Sequence, residues 1–415
     1  MKVTGIIAEY NPFHKGHEYQ IKKARELTDA DYVVAVMSGD FTQRGAPALL
    51  DKYTRARMAL ACGADLVLEL PVRYACASAE YFAGGAVSVL DGLGVTDCLC
   101  FGSESGDTAK IAEAAAALLS AEKDGDFSLR IRQAQKEGLS FPAARAKALH
   151  GSHAEDSEFW TLPNNILGIE YCKALTLSHS RIQPLTILRQ GASYHEESLE
   201  GAGNTEGFSS ATAIRKALLE GKDFHTVRNT VPKETWPLWE TLSGRQGILS
   251  EEDFSLLVHY RLLSEAGQGY QKYADVNADL SDKLQKNLNN YTGWNSFCRL
   301  LNTKDLTYAR VSRCLAHILL GLTRENQETG KNTCFPAYAR PLAFARKAAP
   351  LLNAIKNNAR IPYLPKLSAA SQQLTPFTAK MLQEDIRASH IYQTVLCHKY
   401  HTPFSNEYQR QIPIL

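Results

Sequence analysis

The sequence lacks the features of a membrane or secreted protein. It contains no run of about 18 consecutive apolar residues, so we predict no membrane-spanning helix. The segment MKVTGIIAEY is unlike a signal peptide, because its apolar run is short and meets Glu9. The nine cysteines form no CxxC pair, and the closest two, Cys98 and Cys100, alternate within the apolar run DCLCF. We therefore expect reduced, mostly buried thiols in a cytoplasmic protein without a structural metal site.

Acidic residues are scarce in the last third of the chain. Residues 283–415 carry 18 Lys and Arg against 6 Asp and Glu, a balance of +12, whereas residues 1–215 carry 21 against 27, a balance of −6. The net charge of +2 for the whole chain conceals this segregation. A basic segment of this size predicts a polyanionic partner for the C-terminal part. A solvated basic face without a partner is the alternative interpretation.

Short apolar runs alternate with amphipathic segments in the first half of the chain. The runs KVTGIIAEY, DYVVAVMSG, ADLVLELP, DCLCFGSE and IQPLTILRQG are typical of strands, and the segments between them are typical of helices. Near-continuous apolar strands in strand–helix–strand order predict an α/β domain whose parallel sheet is covered by helices on both faces. Ligands of such sheets bind at the carboxyl ends of the strands, where NPFHKGH, SGDFTQRG and FGSESG follow.

The character of the sequence changes near residue 220. Beyond this point strand-like runs are lacking, and helical segments alternate with proline-containing loops such as KNTCFPAYARP. A chain of 415 residues also exceeds what one core usually supports. We therefore predict two domains, an α/β domain at residues 1–220 and a mainly α-helical, basic domain at residues 221–415.

The first candidate motif, His14-Lys15-Gly16-His17, lies at the turn from the first strand to the first helix. Unpaired N–H groups and the dipole at a helix N-terminus favour a bound phosphate, and Gly16 lets a nucleotide approach the backbone. The two imidazoles can then stabilise the charge that develops on phosphates during attack at the α-phosphorus. A purely structural pair of histidines and a pair of metal ligands are the alternatives.

The second candidate motif is SSATAIR, which opens a predicted helix. Ser209, Ser210 and Thr212 offer hydroxyls for the N-cap and first turn, and capping alone would explain them. Arg215 lies one turn into the helix, where it could hold the β- and γ-phosphates of a nucleotide. The two helix N-termini would then converge on one triphosphate.

Together these residues resemble the nucleotidyltransferase superfamily, whose members share HxGH after the first strand and an S/T-x-x-x-R-type motif late in the domain. Longer blocks narrow the resemblance. EYNPFHKGH, MSGDFTQRGAPALLDKYTRARMAL, GADLVLELP, AEYFAGGAV, FGSESGD, LPNNILGIEY and SSATAIR are similar to the tRNA(Met) cytidine acetate ligase family. The similarity covers nearly all of residues 1–220 and continues more diffusely through TYARVSRCLAHILLG. It implies a Rossmann-like HxGH nucleotidyltransferase domain followed by a mainly helical, tRNA-binding domain.

The resemblance implies an enzyme that activates acetate with ATP, releasing pyrophosphate and forming acetyl-adenylate. The acetyl group then passes to N4 of the wobble cytidine of elongator tRNA(Met), giving N4-acetylcytidine. ATP, Mg²⁺ on its phosphates, acetate and this tRNA are therefore the expected cofactors and partners. The nucleotide-binding positions that match are Ile7, Ala8, Glu9, Tyr10, Asn11, Pro12, Phe13, His14, Lys15, Gly16, His17, Glu18, Tyr19, Gln20, Gly102, Asn164, Asn165, Arg189, Ser209, Ser210, Thr212 and Arg215. Which of the two adjacent asparagines makes the contact is open at this point.

Further charged residues lie near the motifs. In this otherwise acidic half, local positive charge comes from Lys15, Arg44, Lys52 and Arg55, which could bring acetate and ATP together. Asp40 and Glu104 could accept the proton of the attacking amine or bind metal, and either could instead cap a loop. Asp40 and Ala46 also depart from the family pattern, which has an amide and an acid at these positions. These departures put the details of acceptor handling in doubt.

The basic C-terminal part supplies candidate RNA contacts. Arg310, Arg313 and Arg324 recur along LTYARVSRCLAHILLGLTRE, and the first two share a helix face. Such residues would contact phosphates with little sequence information. A small-molecule nucleotidyltransferase and a non-catalytic RNA-binding protein with a relic nucleotide fold are the competing hypotheses. The sequence leaves the oligomeric state open.

Overall fold

The computed structural model of the protein describes residues 1–150, 158–189, 209–222, 224–242, 247–304 and 306–415. Its strands are β1 (Val3–Ala8), β2 (Tyr32–Ser38), β3 (Leu66–Leu70), β4 (Cys98–Ser103), β5 (Gln183–Leu188) and β6 (Pro341–Phe344). Its helices are α1 (Lys15–Thr28), α2 (Lys52–Ala61), α3 (Val72–Ala75), α4 (Ala79–Gly92), α5 (Thr108–Ala121), α6 (Phe127–Lys136), α7 (Phe141–His150), α8 (Pro163–Leu177), α9 (Ala211–Leu219), α10 (Phe224–Val227), α11 (Trp236–Thr241), α12 (Ser255–Glu265), α13 (Ala278–Lys286), α14 (Trp294–Leu301), α15 (Tyr308–Leu320), α16 (Arg324–Asn332), α17 (Ala349–Asn358) and α18 (Pro376–Tyr400). In this part of the chain, no helix is long and apolar enough to cross a membrane.

The strands form one sheet in the order β5-β4-β1-β2-β3-β6. The first five are mutually parallel, with Val3 of β1 opposite Tyr32 of β2 and Cys98 of β4 opposite Gln183 of β5. The prediction of an α/β fold with a parallel sheet is confirmed. The carboxyl ends of β1 and its neighbour β4 therefore lie side by side at the same edge of the sheet.

Side chains of the central strands alternate between two buried clusters. Along β2, Val34 and Val36 join one cluster, whereas Val33 and Ala35 join the other. Because successive side chains of a strand point to opposite faces, both faces of the sheet are covered. This is the reason that the strands read as continuous apolar runs rather than as alternating ones.

Residues beyond 220 are mainly helical but contain one short strand, although the sequence there lacks strand-like runs. The four-residue strand β6 pairs with β3 in antiparallel orientation, with Leu66 opposite Phe344 and Val67 opposite Ala343. A run as short as PLAF carries little strand signal of its own, and its conformation depends on the edge of β3 that it covers. The C-terminal half thus completes the sheet of the first half. The domain boundary near residue 220 stays a prediction.

A third apolar cluster belongs mainly to the C-terminal half. It unites α12, α14, α15 and α18 with Phe41, Val72 and Cys76 of the first half. The C-terminal helices thus pack directly against the loop after β2 and against α3, next to the carboxyl edge of the sheet.

All nine cysteines are free, and six of them are buried: Cys62, Cys76, Cys100, Cys172, Cys298 and Cys314.

Four buried charged residues connect α2 and β3 to the C-terminal half. Lys52 Nζ lies 2.7 Å from Glu69 Oε1 and 3.2 Å from Glu407 Oε2. Arg340 Nη1 lies 2.8 Å from Glu69 Oε2, and Arg340 Nη2 contacts Glu407. None of these side chains is more than 4% exposed. Removing one partner would leave an uncompensated buried charge, which costs about 3–5 kcal/mol.

We expect Glu407→Gln to lower the free energy of unfolding at pH 7 by about 3 kcal/mol and to flatten its decline in acid. Burial alone would raise the pKa of Glu407, but Lys52 and Arg340 lower it from 4.5 to about 2. A folded pKa below the unfolded one contributes stability above pH 4.5 that is lost as the pH falls toward 2, about 3 kcal/mol for this shift. Urea unfolding of both proteins between about pH 7 and pH 3 measures the effect. Equal slopes for the variant and the wild type would contradict it, and Glu240→Gln, at an exposed position, is the control.

Candidate active site

A cavity of about 380 Å³ lies at the carboxyl ends of the central strands. One side is formed by the end of β1 and the start of α1. Another is formed by Gly102 at the end of β4 and Arg189 after β5, and a third by the first turn of α9. Its size lies within the range of small-molecule sites. Residues of both sequence motifs line this cavity, at the edge where a parallel sheet typically binds its ligands.

The two histidines of HKGH cap the helix that they begin. His14 is the N-cap of α1, and its Nδ1 accepts a hydrogen bond of 3.0 Å from the backbone N–H of Gly16. His17 Nδ1 accepts one of 3.3 Å from the N–H of His14, and the two rings stack with centroids 3.8 Å apart. A neutral imidazole that accepts at Nδ1 carries its proton on Nε2. Both residues therefore serve as caps through Nδ1 and keep an Nε2–H donor for a ligand.

Both imidazoles are neutral at physiological pH. Burial lowers the pKa of His14 to about 3, with further contributions from the positive charges of Arg189 and Arg215. Burial likewise lowers the pKa of His17 well below its ordinary value, and His14 and Arg189 add to this effect. Both shifts favour the neutral imidazole at physiological pH, so the site offers two Nε2–H donors there.

Arg215 joins the second motif to the first. Its Nη1 donates a 2.6 Å hydrogen bond to the carbonyl oxygen of Asn11, and its Nη2 donates one of 3.1 Å to Thr212 Oγ1. Ser210 caps α9 by accepting from the N–H of Ala213 at 3.0 Å. The predicted convergence of two helix N-termini is therefore seen in the geometry, since α1 and α9 face one cavity.

The two adjacent asparagines have different surroundings. Asn165 is fully buried; its Oδ1 accepts 3.1 Å hydrogen bonds from the N–H groups of Glu104 and Ser105, and its Nδ2 donates to the carbonyl of Phe159. Asn164 is half-buried and lines the cavity. Arg189 Nη1 lies 3.5 Å from Asn164 Oδ1. The geometry thus assigns the cavity-facing position to Asn164 and a structural position to Asn165.

We expect Asn165→Ala to lower the free energy of unfolding by about 2 kcal/mol or more, because it leaves buried backbone N–H groups without acceptors. Asn164→Ala should cost less stability than Asn165→Ala, because Glu104 keeps the N–H of Asn165 as a donor, and should weaken ATP binding by about tenfold, since Asn164 lines the cavity. Thermal unfolding and calorimetric titration with ATP measure the two quantities. Equal losses of stability in both variants would refute the division.

Two predicted acid–base or metal candidates, Glu104 and Asp40, lie outside the lining of the cavity. Glu104 caps α8 by accepting from Asn164 Nδ2 at 2.6 Å and from the N–H of Asn165 at 2.9 Å. Asp40 accepts from the N–H of Lys52 at 2.9 Å and from Ser389 Oγ at 2.8 Å, and burial raises its pKa to about 6. Both carboxylates hold structure together at these positions, which favours the capping alternative.

The four predicted cations also lie in different places. Arg44 lines the cavity, whereas Lys15 is exposed and lies outside its lining. Lys52 belongs to the buried ion cluster described above. Arg55 is fully buried and donates to the carbonyl oxygens of Leu50, Glu9, Ser38 and Gly39. Arg55 thereby ties the ends of β1 and β2 together, so its effect on the site is the placement of these loops.

The three candidate RNA-contacting arginines pack against one loop. Arg313 Nε lies 2.9 Å from Asp275 Oδ2, Arg310 Nη2 lies 3.5 Å from the Asp275 carbonyl, and Arg324 donates to the carbonyl of Val276. Each guanidinium therefore already contributes to local structure. Their contact with RNA phosphates stays a prediction.

Most of the predicted nucleotide contacts line the cavity. Those that do are Ile7, Ala8, Glu9, Tyr10, Asn11, His14, His17, Gln20, Gly102, Asn164, Arg189, Ser210, Thr212 and Arg215. Those outside its lining are Pro12, Phe13, Lys15, Gly16, Glu18, Tyr19, Asn165 and Ser209. Gly16 and Phe13 act indirectly, because Gly16 bonds to His14 and the Phe13 ring packs against His17.

Sequence reasoning missed two walls of the cavity. An apolar wall consists of Phe82, Phe101, Leu167 and Tyr171, and a wall from the C-terminal half consists of Leu249, Glu251, Tyr308, Ala309 and Ser312. The apolar residues read as ordinary core positions of helices and a strand. No local signal marks the second wall, because it is set by packing between residues distant in the chain.

An HxGH turn at the carboxyl edge of a parallel sheet, bonded to an arginine of a second helix, is typical of a nucleotidyltransferase-type domain. The family model of the HIGH Nucleotidyl Transferase matches residues 1–407. The chain belongs to this family and, within it, to the family of tRNA(Met) cytidine acetate ligases.

The similarity to individual relatives extends over almost the whole chain. A tRNA(Met) cytidine acetate ligase of Caldanaerobacter subterraneus is 40% identical over 395 residues, covering 94% of this chain and 95% of its own. One of Alkaliphilus metalliredigens is 36% identical over 408 residues, covering 94% of each. Two crystal structures of Thermotoga maritima TmcAL, 30% identical and covered completely, superpose with TM-scores of 0.91 (apo) and 0.88 (bound with alpha-thio ATP).

Proposed function

We propose that this chain is an ATP-dependent acetate ligase, which forms acetyl-adenylate and acetylates N4 of the wobble cytidine of elongator tRNA(Met). The observation that carries the proposal is the convergence of two neutral Nε2–H donors and Arg215 on one cavity. The family membership and the alpha-thio ATP bound to a structural neighbour support the same assignment. A site built from donors and cations suits a polyphosphate.

The first half-reaction joins acetate to the α-phosphorus and releases pyrophosphate. A carboxylate oxygen attacks, negative charge grows on the phosphate oxygens, and preorganised donors stabilise that charge without reorganising. His14 and His17 supply such donors, and the N-terminus of α1 adds its dipole. Arg215 and Arg189 supply the positive charge that offsets the repulsion between acetate and ATP.

Mg²⁺ would enter as the complex with ATP. Within the described residues, no group of three or more His, Cys, Asp or Glu could hold a metal ion. Mg²⁺ in nucleotide sites is typically bound by phosphate oxygens, water and one or two carboxylates, and Glu9 lines the side of the cavity that the HKGH turn forms. The ion would neutralise phosphate charge and improve the leaving group.

The basic residues of the C-terminal half provide the charge that a tRNA phosphate backbone needs. We place the anticodon against the C-terminal wall of the cavity, because residues of both halves meet there. A tRNA substrate and nine free cysteines fit a cytoplasmic location.

Purified protein with ATP, Mg²⁺ and labelled acetate tests the function in two stages. We expect acetate-dependent ATP–pyrophosphate exchange without tRNA, and label transfer to tRNA(Met) that nucleoside mass spectrometry identifies as N4-acetylcytidine. Exchange that depends on a phosphorylated small molecule instead of acetate would favour a small-molecule nucleotidyltransferase. ATP-independent tRNA binding without exchange or transfer would favour a non-catalytic RNA-binding protein.

A further inference from the structure

Acetyl transfer to a cytidine amine leaves one proton to be removed. When N4 attacks the acetyl carbonyl, the nitrogen becomes positively charged and must lose a proton to form a neutral amide. The two candidates from the sequence, Asp40 and Glu104, are engaged in capping and lie outside the lining of the cavity. In the described part of the chain, the carboxylates that line it are Glu9 and Glu251.

Glu9 is committed to the architecture of the phosphate loop. Its Oε1 accepts a 2.7 Å hydrogen bond from the N–H of Gln43, and its carbonyl oxygen accepts one of 2.6 Å from Arg55. It follows β1 directly and leads into the HKGH turn. Glu9 therefore joins the loop after β1 to the loop after β2, on the side of the cavity where the phosphates are expected.

Glu251 belongs to the C-terminal wall of the cavity, and hydrogen bonds hold the backbone that leads into it. Two residues before it, the N–H of Leu249 donates a 3.0 Å hydrogen bond to the carbonyl of Leu49. The N–H of Ser250 donates to Asp253 Oδ2 at 2.7 Å, and the same oxygen lies 2.9 Å from Lys399 Nζ. The backbone on both sides of Glu251 is thus anchored, which fixes the point from which its carboxylate enters the cavity.

The carboxylate of Glu251 is half-buried and lightly bonded. Among the described residues, the donor to this carboxylate is the backbone N–H of Glu251 itself. Burial raises its pKa above the ordinary value, although Arg215 opposes this effect, and its charge also acts on the Tyr308 hydroxyl. A partly desolvated carboxylate is a stronger proton acceptor than an exposed one. Glu251 can therefore accept a proton at a position between Arg215 and the C-terminal wall of the cavity.

We infer that Glu251 accepts the N4–H hydrogen bond of the target cytosine and takes its proton during acetyl transfer, an inference that rests on the proposed function. Carboxylates pair with the exocyclic amine of cytosine, so one contact would both recognise the base and deprotonate it. The N4 lone pair forms the bond to the acetyl carbon, and the bond from that carbon to the phosphate oxygen breaks. AMP departs with the electron pair, the proton passes from N4 to Glu251, and solvent later removes it.

Glu251→Gln in the full-length protein tests the inference by comparing two rates. Acetate-dependent ATP–pyrophosphate exchange without tRNA reports the first half-reaction. Single-turnover transfer from enzyme-bound acetyl-adenylate to tRNA(Met) reports the second. We expect the ratio of transfer to exchange to fall by about 10²-fold or more, because glutamine keeps the shape but not the basicity. Glu251→Asp, which retains a carboxylate, should recover part of the ratio.

The exposed-site variant Glu240→Gln is the matched control, and Glu9→Gln tests the other carboxylate that lines the cavity. A wild-type ratio in Glu251→Gln would overturn the inference, as would an equal fall in both rates. A fall in the ratio confined to Glu9→Gln would move the role to Glu9 and also overturn it. If the wild-type protein shows no acetate-dependent exchange, the proposed function itself fails and the role of Glu251 falls with it.

Discussion

His17→Asn is expected to slow acetate-dependent ATP–pyrophosphate exchange by about 10²–10³-fold while leaving the fold intact. His17 performs two tasks through two nitrogens, since Nδ1 accepts from the N–H of His14 and Nε2 carries the proton that faces the cavity. The carboxamide oxygen of asparagine can replace Nδ1 as the cap acceptor, but nothing replaces the Nε2–H. Loss of one preorganised donor to a developing oxyanion has this magnitude.

The complementary variant His17→Gln separates capping from catalysis. Glutamine is a preferred residue at this position of a capping box, so its oxygen can accept from the N–H of His14 while its amide N–H approaches the former Nε2. We therefore expect partial exchange activity and a stability within about 1 kcal/mol of the wild type. Initial rates of exchange and thermal unfolding measure both effects, and His398→Ala at an exposed position is the control. If His17→Asn retains exchange within about threefold of the wild type, His17 is a helix cap and no more.

The elements that the sequence predicts correctly are those whose cause is local. Continuous apolar runs gave β1 to β5, and the HKGH turn followed from a strand ending shortly before an amphipathic helix. Strand β6 was not predicted, because its four residues form a strand only by pairing with the edge of β3. Pairing across more than 270 residues leaves no periodic signal in the sequence.

The same difference between local and long-range causes explains what the sequence did not show at the candidate site. Lys52 and Arg55 look like phosphate ligands because they are cations near a motif, yet both are buried and bonded to carboxylates or carbonyl oxygens of the fold. Asn164 and Asn165 look equivalent in sequence, and only the position of Glu104 separates them. Glu251 was missed because its approach to the cavity depends on how the C-terminal half packs against Leu49. Motifs thus predicted residues that line one side of the cavity, whereas the wall from the C-terminal half required tertiary structure.

Arg215→Met is expected to weaken ATP binding by about 10²-fold and to raise the pKa of His14. The guanidinium bonds the carbonyl of Asn11 at 2.6 Å and Thr212 Oγ1 at 3.1 Å, so it fixes the HKGH turn relative to α9. A hydrogen bond involving a charged group contributes about 1.5–3 kcal/mol, or about 10- to 100-fold in affinity, and the lost attraction to phosphate adds to it. Arg215→Lys keeps the charge but not the planar fork, so it should recover less than half of the lost binding free energy.

The effect on His14 gives this prediction an independent readout. Burial is the main cause of the low pKa of His14, about 3, and the positive charge of Arg215 lowers it further. Removing that charge in Arg215→Met should raise the pKa toward 6.5 without reaching it, because burial remains, whereas Arg215→Lys should leave it close to the wild-type value. NMR titration of the His14 ring and calorimetric titration with ATP measure the two effects, with Arg181→Lys at an exposed position as the control. Weaker ATP binding in Arg215→Met without any change at His14 would show that the two motifs act on the nucleotide separately, and the convergence of α1 and α9 on one triphosphate would then be wrong.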